Sequence, residues 1–121
     1  MKTPFIIIIA GPNGVGKSTF AKWYLKDIEE CSMIVDPDAI ARDIRDVPES
    51  ERNITAGRLA IEIIDELLRS KASFAIETTL SGKTLASTLA RARDAGNYIA
   101  VRLLWVPSVR ITSERVRRRW L

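Results

Sequence analysis

The chain has 121 residues, room for one domain around one core, and its 46% hydrophobic and 28% charged residues are an ordinary globular balance. One cysteine, Cys31, and no histidine exclude an intramolecular disulfide, a Cys/His zinc site and Ser-His-type triads, so any general base is a carboxylate. The net charge of +4 is uneven: residues 102–121 carry six arginines against Glu114, or +5, which leaves −1 for residues 1–101.

The first apolar run, residues 5–10, is too short to span a bilayer and no small-residue cleavage site follows it. It reads as a buried strand of a soluble, cytoplasmic protein with no membrane partner. Gly11-Pro12-Asn13-Gly14-Val15-Gly16-Lys17-Ser18 then matches G-x-x-x-x-G-K-[ST] in full. Glycines let such a loop curl so that backbone N–H groups face phosphate oxygens, and the helix that begins there adds the positive end of its dipole. Lys17 can reach the β- and γ-phosphates and Ser18 can ligate Mg²⁺, while Gly11 to Thr19 together form the nucleotide-binding stretch. The pattern arises by chance in roughly one chain in a few hundred of this length, and here the strand before it and the helix after it are both present.

Residues 18–30 follow as a helix with Phe20, Ala21, Tyr24, Leu25 and Ile28 at helical spacing. Residues 33–35 form a short strand that ends in Asp36-Pro37-Asp38. Asp36 reads as a turn residue before proline. Asp38 reads either as the N-cap of a short helix or as a catalytic acid facing a cleft. Residues 49–70 are a long helix with Ile54, Ile61, Ile64 and Leu68 on one stripe. Residues 73–76 form a third strand followed directly by Glu77, which is either a strand-end acid in water or a functional acid grouped with Thr78, Thr79 and Ser81. A helix over 83–95 is stopped by Gly96, and residues 98–106 form a fourth strand ended by Pro107. Ser108 can cap a last, arginine-rich helix that runs to the chain end. Its charge suits nucleic acid, nucleotide phosphates or a solvated helix face.

Alternation of strands and helices predicts an α/β domain over residues 1–121, a P-loop NTPase or kinase-like parallel sheet of about four strands with helices on both faces. Ligands of such sheets sit at the carboxyl ends of the strands. No N-K-x-D guanine signature is present. Two acids after short strands, near the expected phosphates, suggest a small-molecule kinase in which one carboxylate accepts the proton of an acceptor hydroxyl.

The segments IIIIAGPNGVGKSTFA, VDPDAIA, AGRLA, SFAIETTLSGKT and LLWVPS…SERV together resemble the zeta-toxin family of P-loop kinases, in the family's order and over nearly the whole chain. The resemblance implies ATP-dependent phosphorylation of a hydroxyl on a UDP-amino-sugar such as UDP-N-acetylglucosamine, with Mg²⁺, often under the control of an antitoxin protein. By that resemblance Lys17 holds the γ-phosphate, Ser18 the metal, and Asp38 is the base. Glu77 and Thr79 contact the sugar-nucleotide, Arg58 and Glu62 line the same cleft, and Arg119 stabilises charge on the transferred phosphoryl group. The family pattern continues beyond this point with a lid and a fifth strand. The expectation is that this chain lacks both, so that residues 98–106 become an edge prone to self-association and catalysis is weak. The alternatives are a nucleotide-binding remnant of the family and a nucleic-acid-binding module using the arginine-rich helix; the latter ranks last because Trp120 is its only aromatic.

Overall fold

The computed structural model describes residues 3–79 and 83–105. In chain order these form β1 (Phe5–Ala10), α1 (Lys17–Leu25), β2 (Cys31–Val35), α2 (Pro37–Asp43), α3 (Glu49–Arg69), β3 (Ser73–Thr78), α4 (Lys83–Asp94) and β4 (Tyr98–Leu103). All four strands pair in parallel in the order β2-β3-β1-β4. The expected α/β parallel sheet is therefore observed. The expected helix over residues 109–120, with Arg119, lies outside the described residues, as do Ser81, Pro107 and Ser108.

The isoleucine run of β1 explains its central place. Successive side chains of a strand point to opposite faces, and both faces are covered. Ile6, Ile8 and Ala10 join Val35, Phe74 and Ile76 under α3 and α4, with Ala60, Ile64 and Ala92 as the buried helix contacts. Ile7, Ile9 and Ala75 face α1 through Ala21 and Leu25. Each large apolar side chain so enclosed stabilises the fold by about 1.5–3 kcal/mol. Among the described residues β4 pairs with β1 alone, and its Tyr98, Val101 and Leu103 are exposed.

Helix ends follow local chemistry. Gly96, at φ 97°, closes α4: Gly96 N–H donates to the Arg93 carbonyl and Asn97 N–H to that of Ala92, the paired bonds of a Schellman stop. α3 opens with Glu49 and Glu51 and ends with Arg69, each sign at the favourable end of the helix dipole. Its buried stripe is Ala56, Ala60 and Ile64, whereas Ile54, expected on the apolar face, is 62% exposed. The first helix also stops earlier than expected. It ends at Leu25, and a turn in which Ile28 N–H donates to the Leu25 carbonyl leads into β2.

Candidate functional site

The connection from β1 to α1 is shaped by what surrounds it. Gly11 N–H donates to the Thr78 carbonyl of β3 at 3.2 Å, and Leu104 N–H donates to the Ala10 carbonyl at 2.7 Å. A Cβ on Gly11 would lie 2.5 Å from the Leu104 carbonyl oxygen and 3.1 Å from Val15 Cγ1, so only glycine fits between the strands. Gly14 and Gly16 take φ of 85° and 94°, values that favour glycine. Gly16 is also the N-cap of α1, and no side chain caps that end, so the first N–H groups of the helix keep their capacity for an anion. Lys17 Nζ donates to the Gly11 carbonyl at 2.9 Å and to that of Pro12 at 3.2 Å, which holds the ammonium against the loop.

This loop forms one wall of a cleft of about 300 Å³, to which Asn13, Gly14, Gly16, Lys17, Ser18 and Thr19 contribute. Opposite them lie Asp36, Asp38, Arg42, Glu77 and Thr78. Of the nine residues expected to bind nucleotide, six line the cleft. Gly11 lies buried beneath it, Pro12 offers its carbonyl to Lys17, and Val15 packs on Gly11.

Glu77 lies within β3, one residue before its end, and is only 7% exposed. The bland reading of a strand-end acid in water is thereby corrected: β3 runs on to Thr78 and carries Glu77 into the sheet. Ser18 Oγ donates to Glu77 Oε1 at 2.9 Å. With its hydrogen so used, the Ser18 oxygen presents only lone pairs elsewhere, the state a metal ligand requires. Burial pushes the Glu77 carboxyl above its ordinary range. The Ser18 bond opposes this, Asp36 adds to it, and Lys17 and Lys22 oppose it.

Of the two aspartates, the one read as a turn residue takes the cap that was considered for Asp38. Asp36 is the N-cap of α2, its Oδ1 accepting from Asp38 N–H at 3.0 Å and Ala39 N–H at 3.3 Å, with Pro37 in the first helical position. Asp38 is therefore inside the first turn, exposed, and is no cap. Its carboxylate is left for the cleft. Sequence reading took Asp36 for a turn residue and not for the cap, and it missed Arg42 altogether. Arg42 lies four residues after Asp38 on α2, a spacing that shares a helix face, and this was the available signal.

A second cleft of about 430 Å³ adjoins the first. Its walls come from α3 through Asn53, Ile54, Gly57, Arg58 and Ile61, from α4 through Leu85 and Thr88, and from Thr79. Asp38, Glu77 and Thr78 line both clefts. Arg58 and Thr79 thus fall where they were expected, while Glu62, exposed on α3, is not among the lining residues. Among the described residues no group of three or more metal-ligating side chains is gathered, and no helix is long and apolar enough to cross a membrane. Carboxylates beside a phosphate loop nevertheless suit Mg²⁺, which takes one or two protein ligands and completes its shell with phosphate oxygens and water.

With this geometry in place, comparison with known proteins is informative. The sequence profile of the Zeta toxin family matches residues 1–119. An uncharacterized protein of Haemophilus influenzae is 30% identical over 115 residues, which are 93% of this chain and 79% of the relative. Among solved structures, a presumed kinase from Chloroflexus aurantiacus superposes with a TM-score of 0.74 at 18% identity, covering 98% of this chain and 68% of that one. A chain of the PezAT chromosomal toxin–antitoxin system of Streptococcus pneumoniae gives 0.70 at 19% identity, covering 85% of this chain and 48% of that one, so that this chain spans about half its length. At these identities the structural likeness shows the fold alone.

Proposed function

The chain belongs to the zeta-toxin family, and from that premise we propose that it is an ATP-dependent phosphotransferase acting on a hydroxyl of a UDP-amino-sugar. One observation carries this reading: the phosphate-loop cleft and the more apolar cleft meet at Asp38, Glu77 and Thr78. A nucleotide in the first and a hydroxylated acceptor in the second would bring donor phosphate and acceptor oxygen together beside a carboxylate.

In this proposal residues Gly11 to Thr19 hold the ATP phosphates, and Lys17 leaves its two carbonyl partners for the β- and γ-phosphates. Mg²⁺, held by Ser18 with Glu77 behind it, would neutralise phosphate charge. Asp38 accepts the proton of the attacking hydroxyl. It suits that role because Asp36 takes over the capping and leaves the Asp38 carboxylate uncommitted. Glu77, Thr79 and Arg58 form the acceptor wall, while Glu62, one turn further along α3, stands outside it. Arg119, outside the described residues, is assigned to the charge on the transferred phosphoryl group.

Two partners belong to the same reading. An antitoxin is proposed from the family and from the PezAT likeness, with a cytoplasmic location. A second copy of the chain is proposed on β4, whose exposed Tyr98, Val101 and Leu103 lie on an outermost strand. Light-scattering chromatography at micromolar concentration should then show a dimer or larger species.

The decisive experiment is incubation with magnesium, ATP and a panel of UDP-sugars, with mass spectrometry of the sugars. A product heavier by one phosphate, absent with Lys17→Ala, is expected. ATP binding without any phosphorylated sugar would overturn the assignment of acceptor. Equal ATP affinity of wild type and Lys17→Ala in calorimetric titration would overturn the assignment of the loop.

A further inference from the structure

A third cleft, of about 490 Å³, opens beside the other two. It shares Asn13, Asp38 and Arg42 with the phosphate-loop cleft, and Asp38 and Asn53 with the apolar cleft. Arg42 from α2 and Arg52 from α3 both line it. Neither guanidinium makes a hydrogen bond or ion pair among the described residues, although Asp38 and Glu49 line the same space. Arg52 Nε is buried and has no partner.

We propose that Arg42 and Arg52 form an anion-recognition site that holds a phosphate-type group carried by the acceptor substrate. A buried guanidinium N–H without a partner is costly and rare. The arginine fork matches the oxygens of a phosphate and makes the stronger, charge-assisted class of hydrogen bond. Asn13 and Asn53 add side-chain amides that can donate to the same oxygens. The donor nucleotide does not need Arg52, because Lys17 and the loop N–H groups are placed for its phosphates and Arg52, unlike Arg42, is not part of that cleft. A molecule lying in the apolar cleft, by contrast, reaches the arginines past Asp38 and Asn53, which line both spaces. The site would then set which hydroxyl reaches Asp38, by fixing the acceptor at a second point.

Assigning the anion to the acceptor rests on the phosphotransferase reading; the anion site itself does not. The test is an NMR titration of the arginine Nε–H signals, assigned by Arg42→Lys and Arg52→Lys. Inorganic phosphate is added to the protein saturated with magnesium and the non-hydrolysable analogue AMP-PNP, with sodium chloride at equal ionic strength as control. The expected result is that both signals shift saturably with phosphate and hardly with chloride. Arg42→Gln and Arg52→Gln should each weaken phosphate roughly tenfold or more, and Arg52→Gln, which lies outside the phosphate-loop cleft, should leave AMP-PNP affinity unchanged. Signals that do not move, or that chloride moves equally, would overturn the site. The same titration in nucleotide-free Lys17→Ala gives the answer even if AMP-PNP fails to bind wild type, a failure that would count against the phosphotransferase reading alone.

Discussion

Replacing Gly11 by alanine tests how the phosphate loop is held against the sheet. The added Cβ would sit 2.5 Å from the Leu104 carbonyl oxygen. That oxygen has little freedom to withdraw. The Leu104 N–H is tied to the Ala10 carbonyl at 2.7 Å, and the Leu104 side chain packs on the α1 face of the core. Overpacking of this kind costs about 1–3 kcal/mol, and a clash with constrained backbone belongs at the upper end, about 2–3 kcal/mol. Unfolding entropy of about 2.1 cal/mol/K per residue gives roughly 0.25 kcal/mol/K for this chain length. Gly11→Ala should therefore melt about 8–12 °C below wild type by calorimetry or circular dichroism. It should also bind Mg-ATP more weakly, because the Gly11 carbonyl is one of the two that position Lys17. Gly57→Ala is the control. Nothing lies within 4 Å of its Cβ position, and it sits mid-way along α3. The better helix propensity of alanine, about 1 kcal/mol, should raise the melting temperature by about 4 °C. A Gly11→Ala protein melting within about 2 °C of wild type would refute the close-approach argument and mean that β4 and the loop shift apart freely.

Glu77→Gln should melt above wild type at pH 7, since it removes a charge that burial disfavours and keeps an acceptor for Ser18. The folded-state pKa of Glu77 is raised, so the folded protein gains stability relative to the unfolded as pH falls through that value toward 4.5; melts across pH should show the gap between the two proteins closing over that range, and a constant gap would contradict it. Asp38→Asn should leave ATP affinity nearly unchanged and lower phosphoryl transfer by roughly 10²- to 10⁴-fold; wild-type turnover would remove Asp38 from the chemistry. Asp36→Ala should lower stability by about 1 kcal/mol through loss of the α2 cap, or about 4 °C, while Asp36→Asn keeps most of it; equal melting of the alanine and asparagine variants would show that the two cap bonds contribute nothing.

Local chemistry was sufficient for much of this protein. The isoleucine run, the glycine-rich loop and the Gly96 stop each depend on side-chain periodicity or on a backbone conformation that few residues tolerate, and neighbours in sequence carry those demands. β1, the loop and the end of α4 stand accordingly where the sequence places them. The identity of the cap was also a local matter, but Asp36 and Asp38 both fit the motif, and only the observed bonds to Asp38 N–H and Ala39 N–H show that Asp36 takes it. What lay beyond the sequence depends on parallel pairing, which joins segments far apart in the chain. Ser18 meets Glu77 across 59 positions. Gly11 is glycine because Leu104, just past the end of the neighbouring strand β4, passes beside it. Arg42 and Arg52 are closer in sequence, and it is the packing of α2 on α3 that brings both to one cleft. A periodic pattern tells which face of an element is apolar; which elements come to face each other is decided by the register of the sheet, and the functional groups of this protein lie where those long-range choices bring them together.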